Sequence, residues 1–216
     1  MTEESWRIYS IILKRIIEIE YVPGELLSEN SLAEEFGISR TPIREILIKL
    51  SEKGFVKLMP RVGTYVSEID AREMISIFEV RKTLEILACE LAIMRSTEEQ
   101  SQKLFSVVEQ IKSLNDQARY RECVKEEYEF LNMIASASKN VYVEEYLQEL
   151  NSKILRFVNY VQYEKHLSER MINALVSITK AISRRDSENA SKEMTRYMLA
   201  HVNELTQCLL TKLFFD

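Results

Sequence analysis

The chain has 216 residues, 46% of them hydrophobic and 29% charged, enough for one large domain or two small ones and typical of a soluble globular protein. Apolar runs are only a few residues long, as at Ile46-Leu47-Ile48, which excludes a membrane-spanning helix and any membrane partner. The acidic opening Met1 to Arg7 has no apolar signal core, so the expected location is the cytoplasm.

Cys89, Cys123 and Cys208 are odd in number and widely spaced, against a disulfide framework or a zinc ribbon. The net charge of −5 is unlike that of a nucleic-acid binder, but the charge is uneven. Between Ile38 and Arg61 six basic residues stand against Glu45 and Glu52, a local +4. All four glycines and all three prolines fall within the first 63 residues. Tight turns need these residues and helix interiors exclude them, so a compact, sharply turning N-terminal part precedes an all-helical remainder.

In chain order, Ile8, Ile11, Ile12, Arg15, Ile16 and Ile19 space out a first helix over about 4–20, stopped by Tyr21-Val22-Pro23-Gly24. Leu26 to Ser28 suits a short strand. Ser28 or Asn30 caps a second helix, 31–36, which ends at Gly37 in the left-handed position. Ile38-Ser39 leads into a third helix with Ile43, Ile46, Leu47 and Leu50 inward and Arg40, Thr41 and Arg44 at its N-terminal end. Two helices joined by a short glycine-containing turn suit entry into the major groove, where Arg bonds guanine bidentately and the helix N-terminus favours phosphate. Two β-prone runs, 55–59 and 64–67, flank Pro60-Arg61-Val62-Gly63 and predict a hairpin, a wing with Arg61 at its tip.

The joint is expected at 67–72, where Asp70-Ala71-Arg72-Glu73 has the form of a capping box, giving domains 1–69 and 70–216. Six amphipathic helices follow. The first covers about 72–94 (Phe78, Leu84, Leu87, Ala88, Leu91 inward). Thr97-Glu98-Glu99-Gln100 caps the second (Leu104, Val108, Ile111, Leu114). The third covers about 120–138 (Val124, Leu131, Ile134, Ala135) and the fourth about 143–163 (Tyr146, Leu150, Ile154, Phe157, Val161). Ser168 starts the fifth, and Asp186 the sixth, which ends near Phe214. The fold class is mainly α: a winged helix-turn-helix followed by an antiparallel helix bundle.

The string Pro23-Gly24-x-x-Leu27-Ser28-Glu29-x-x-Leu32-Ala33-x-x-Phe36-Gly37-Ile38-Ser39-Arg40-Thr41-Pro42-Ile43-Arg44-Glu45, continued by Gly54-Phe55-Val56 and Gly63-Thr64-Tyr65-Val66, resembles the signature of the GntR family of transcription regulators. The resemblance implies that Arg40, Thr41 and Arg44 contact bases or phosphates and that Asn30 and Gly63 lie at the DNA interface. With Ser28, Ser39 and Arg61 these make the candidate DNA-binding set.

The helical remainder resembles the FCD effector domain of the FadR branch through Glu79-x-Arg81-x-x-x-Glu85, Phe130-Leu131-Asn132-Met133-Ile134-Ala135 and Ala181-Ile182-x-x-Arg185-Asp186. Many such domains hold a divalent metal with one Asp and three His. The matching positions here are Glu127, Leu131, Leu175 and Tyr197, so no tightly bound metal and no cofactor is expected. The candidate effector-binding residues are Arg81, Glu127, Tyr197 and His201. Arg81 either holds a polar or anionic small molecule with Tyr197 and His201, or pairs internally with Glu85 or Glu127. The loss of two His to Leu also admits an apolar effector or none.

Nothing in the chain has the form of a phosphate-binding loop, a nucleophile elbow or a zinc-peptidase motif, which argues against an enzyme. The resemblance implies a homodimer that reads a pseudo-palindromic stretch of double-stranded DNA, most simply a repressor tuned by a metabolite. The alternative is a regulator whose bundle only dimerises.

Overall fold

The structure, a computed structural model, describes residues 1–161 and 167–215, with side chains described up to 207 except at 71. It divides into two compact units, Met1–Asp70 and Ala71–Asp216.

In the first unit α1 (Glu3–Ile17), α2 (Glu29–Phe36) and α3 (Arg40–Glu52) surround a core of Ile8, Ile12, Ile16, Leu32, Ile43, Ile46, Leu47 and Leu50. Burying these aliphatic chains, each worth about 1.5–3 kcal/mol, drives the unit together. Strands β1 (Leu26–Leu27), β2 (Val56–Met59) and β3 (Gly63–Val66) form an antiparallel sheet in the order β1-β3-β2. Val56 pairs with Val66 and Met59 with Gly63, so β2 and β3 make the hairpin expected from the sequence.

Helix α1 ends three residues before the expected Glu20. Ile19 takes a left-handed φ of 60°, and the Ile19 and Glu20 amides donate to the carbonyls of Ile16 and Arg15. That is a Schellman closure on a β-branched residue, which the apolar spacing does not signal. Arg15, placed by the sequence in an apolar stripe, instead reaches across. Its guanidinium contacts Glu35 at 2.5 Å, donates to the Tyr21 hydroxyl at 2.8 Å and lies over the Phe36 ring. Helix α2 starts at Glu29 rather than Ser31 because Ser28 is its cap, accepting from the Ser31 amide, which leaves Asn30 inside the first turn.

The second unit contains α4 (Ala71–Arg95), α5 (Glu98–Asp116), α6 (Tyr120–Ala137), α7 (Val141–Tyr160), α8 (Glu169–Ser183) and α9 (Ser187–Phe215). Thr97 and Gln100 form the expected capping box on α5, and Ser168 caps α8. The last two residues of the expected fourth helix, 162–163, lie outside the described residues. Helix α4 is central, packing on α6, α7, α8 and α9. Without glycine, α5, α6 and α8 are each followed by an L-residue in the left-handed conformation: Ala118 (φ 56°), Lys139 (φ 47°) and Arg185 (φ 59°). The Arg185 guanidinium in turn donates to the carbonyls of Ile93 and Ser96, closing the end of α4.

Two inward assignments are wrong. Leu87 on α4 and Tyr146 on α7 are exposed, at 38% and 57%. On α4 the core face is taken by Ile77, Arg81, Glu85, Ala88 and Ala92, and on α7 by Leu147 in place of Tyr146.

Candidate nucleic-acid interface and buried polar cluster

Helix α3 buries Ile43, Ile46, Leu47 and Leu50 completely, and this fixes the outward direction of the residues between them. Ser39 occupies the N-cap position with no side-chain cap bond, and Ser39, Arg40, Thr41 and Arg44 are all exposed. The Arg40 guanidinium donates to Glu29 Oε2 at 3.2 Å, a solvent-exposed pair of the kind worth 0–1 kcal/mol and easily exchanged for a phosphate. Ser28 and Asn30 are exposed at the start of α2.

In the wing, Arg61 stands exposed at the hairpin turn with φ 64°. Gly63 has φ 145°, a conformation that favours glycine, while the one atom a Cβ would crowd is the movable end of Leu26, Cδ1. Seven of the eight expected DNA-contacting residues therefore present exposed side chains. Gly63 shapes the backbone that carries Arg61.

In the helical unit, Arg81 and Glu85 from α4, Glu127 and Tyr128 from α6, and Tyr197 and His201 from α9 meet in the interior, none more than 4% exposed. The Arg81 Nε donates to Glu85 Oε1 at 3.4 Å, and its guanidinium carbon lies 5.1 Å from the Tyr128 ring centroid. The Tyr197 hydroxyl donates to Glu127 Oε1 at 2.5 Å, a short charge-assisted bond. His201 lies between two hydroxyls, with Nδ1 at 3.4 Å from Tyr197 and Nε2 at 3.4 Å from Tyr128. Since the Tyr197 proton goes to Glu127, its oxygen is left to accept from Nδ1–H, and Nε2 accepts from Tyr128. The hydrogen bonds thus run in one direction across α6 and α9.

Burial raises the carboxyls of Glu127 and Glu85 to about 7. The Tyr197 hydrogen bond opposes the shift at Glu127, and the Arg81 charge opposes it at Glu85. Burial, with the Arg81 charge beside it, holds the His201 imidazolium well below its usual range. For Arg81 burial works against the cation, but Tyr128, Glu85, Tyr197 and Glu127 together outweigh it and the guanidinium stays charged. Both terminal nitrogens of Arg81, and Glu85 Oε2, are buried with no hydrogen-bond partner among the described residues.

Glu85 was expected only as a partner of Arg81, which it is, and Tyr128 was not singled out from the sequence. The spacing of Tyr128 from Val124 and Leu131 places it on the same inward face, which is the signal that could have found it.

The model of the GntR family of bacterial regulatory proteins matches residues 5–66, and the FCD domain model matches residues 76–200. This chain is a GntR-family transcription regulator with an FCD domain. Its relatives include an uncharacterized HTH-type transcriptional regulator of Bacillus subtilis, YdhC, 28% identical over 90% of this chain and 86% of that protein. The HTH-type transcriptional repressor RspR of Escherichia coli is 24% identical over 89% and 84%. The solved structure of E. coli McbR/YncC superposes with a TM-score of 0.82 at 20% identity, covering 96% of this chain and 99% of that one, which shows the fold.

The FCD domain of this regulator does not fit the metal that many of its family hold. Leu131 and Leu175 are fully buried aliphatic side chains, and the Tyr197 hydroxyl is committed to Glu127. Among the described residues no group of three His, Cys, Asp or Glu side chains is placed to hold a metal ion, and no helix is long and apolar enough to cross a membrane. Cys89 and Cys123 are free and buried. On the surface of the FCD domain an apolar groove of about 270 Å³ is lined by Met74, Phe78 and Lys82 of α4, Phe157 of α7, and Met198 and Val202 of α9. Phe78 joins it to the cluster, its ring edge-on to His201 at 6.0 Å.

Proposed function

We propose that this regulator is a dimeric cytoplasmic repressor whose winged helix-turn-helix, residues 1–69, binds a pseudo-palindromic operator. The helical domain, 70–216, senses a small polar or anionic molecule. Ser39, Arg40, Thr41 and Arg44 enter the major groove, and Arg61 reaches the minor groove or its phosphates, with Ser28, Asn30 and Gly63 at the edges of the contact. The sign of regulation follows the naming of the relative RspR as a repressor.

The observation that carries the sensing role is the buried Arg81 guanidinium with two unpartnered nitrogens. A buried charged donor left unpaired is costly, and a small anion reaching those nitrogens beside Glu127, Tyr197 and His201 would remove that cost. Binding there, at the centre of α4, α6 and α9, would bias the bundle and so the spacing of two operator-bound winged domains.

The test pairs two measurements on the full chain. Gel-shift titration with DNA upstream of its own gene is expected to show salt-sensitive, palindrome-selective binding. Thermal-shift screening of short organic acids is expected to find one that stabilises the wild type, weakens DNA binding and has no effect on Arg81→Met. The Arg81–Glu85 pair favours a second reading, a bundle that only dimerises. DNA binding with no response to any anion would select it.

A further inference from the structure

The groove between α4, α7 and α9 is formed and open, and the hydrogen bonds of the buried cluster make no use of it. On α4, Ile75, Phe78 and Lys82 are spaced three and four apart; on α9, Met198, Val202 and Leu205 are spaced four and three apart. Each helix therefore turns one stripe toward the groove. Phe78, Phe157, Met198 and Leu205 are buried and make its floor, while Ile75 and Leu199 stand up as walls, 60% and 48% exposed. An apolar body laid between those walls takes apolar surface out of water on both sides. The volume of about 270 Å³ lies just below the roughly 300–1,000 Å³ of pockets that bury drug-sized molecules, which limits the occupant to a small one.

Charge at the rim selects the kind of small molecule. Glu79 and Lys82, one turn apart on α4, both line the groove and are exposed. Among the described residues neither side chain has an ion-pair or hydrogen-bond partner. A lone carboxylate seated there is attracted by Lys82 and repelled by Glu79, and a lone ammonium meets the reverse. A molecule carrying both charges close together meets both, because side chains three apart on a helix are neighbours, about 5–6 Å apart at Cβ.

We propose that this groove binds a free α-amino acid with a large apolar side chain, such as leucine or phenylalanine. Its carboxylate accepts from Lys82 Nζ, its ammonium donates to the Glu79 carboxylate, and its side chain lies over Phe78, Phe157 and Met198 between Ile75 and Leu199. An α-amino acid has both charged groups on one carbon and its apolar part on the same carbon, which is the arrangement that the rim and the floor present together. The site is separate from the interior cluster and does not rest on the sensing role of Arg81. Phe78 is shared by the two: it floors the groove and packs edge-on against His201 at 6.0 Å, so an occupant touches the ring on which the buried imidazole rests.

Isothermal titration calorimetry of the full chain tests this with L-leucine and L-phenylalanine. At least one is expected to bind, and glycine, which has no apolar body, is expected not to. Analogues of the binder without the ammonium (4-methylpentanoate, 3-phenylpropionate) or without the carboxylate (3-methylbutylamine, phenethylamine) are expected to bind at least about fivefold more weakly, the loss of one charged contact at a partly exposed rim. Lys82→Met and Glu79→Gln put good helix formers on exposed positions of α4 and are each expected to weaken the amino acid by a similar factor, with unchanged far-UV circular dichroism. Absence of binding by either amino acid up to about 10 mM overturns the proposal. So does a deaminated analogue that binds as tightly as its parent, which would make the groove a site for apolar acids. Binding that both rim variants leave unchanged places the ligand elsewhere and overturns the site. None of these outcomes bears on the anion response of Arg81, which the Arg81→Met comparison reads separately.

Discussion

Replacing Tyr197 by Phe removes one oxygen from the centre of the helical domain and is the cleanest probe of the buried cluster. The hydroxyl donates to Glu127 Oε1 at 2.5 Å and sits 3.4 Å from His201 Nδ1, and Tyr197 and Glu127 are 0% and 1% exposed. Water therefore cannot replace the lost donor. Hydrogen bonds to charged groups contribute about 1.5–3 kcal/mol and neutral ones about 0.5–1.5 kcal/mol. The Glu127 carboxyl, raised to about 7, is ionised at pH 8 and protonated at pH 5.5. Tyr197→Phe is thus expected to cost about 2–3 kcal/mol at pH 8 and about 1 kcal/mol at pH 5.5. The loss grows with pH because the variant's Glu127, deprived of the bond that lowers it, holds its proton still longer. Urea unfolding followed by far-UV circular dichroism at the two pH values measures this. The only tryptophan, Trp6, lies in the N-terminal unit, so its fluorescence gives a control transition that should not move. An equal loss at both pH values, or less than about 0.5 kcal/mol at pH 8, refutes the charge-assisted bond as the source of stability.

Other outcomes follow from the same geometry. Between the usual 4.5 and about 7, Glu127 and Glu85 hold protons in the folded chain that the unfolded chain has released, so stability falls as pH rises through that window. His201, held well below its usual 6.5, acts in the opposite sense as pH falls below 6.5. Melting between pH 6.5 and 7.5 therefore weights the two carboxyls over the smaller opposing contribution of His201, and Glu127→Gln is expected to remove at least half of the net decline; an unchanged slope would show that Glu127 does not titrate there. Arg44→Ala is expected to weaken operator binding by about 1–3 kcal/mol in fluorescence anisotropy, and Arg61→Ala to lower the salt slope by about one, with wild-type values for both arguing against this groove assignment. Ala118→Gly, at φ 56°, relieves a left-handed L-residue and is expected to add up to about 1 kcal/mol to the helical domain, read as a higher urea midpoint.

Much of this protein is written locally, and those parts were readable. The confinement of Gly and Pro to the first 63 residues separates a turning domain from a helical one, because backbone freedom is a property of the residue itself. Ser28, Gly37, Thr97 and Ser168 mark helix ends by chemistry that acts within four residues, and the three-four spacing of Ile43, Ile46, Leu47 and Leu50 turns Arg40 and Arg44 outward. What involves distant segments was not readable. Arg15 leaves its apolar stripe for Glu35, twenty positions away on α2. Of the two open partners for Arg81, the fold chooses Glu85 and gives Glu127 to Tyr197, 70 positions away, because α6 and α9 face each other across the core. Leu87 and Tyr146 look like core residues in any one-dimensional pattern, since a helix with two apolar faces does not say which one its own chain will cover. The sequence alone determines which residue types lie on which helix stripe. The tertiary structure decides which stripe is spent on the core and which charges are paired inside it.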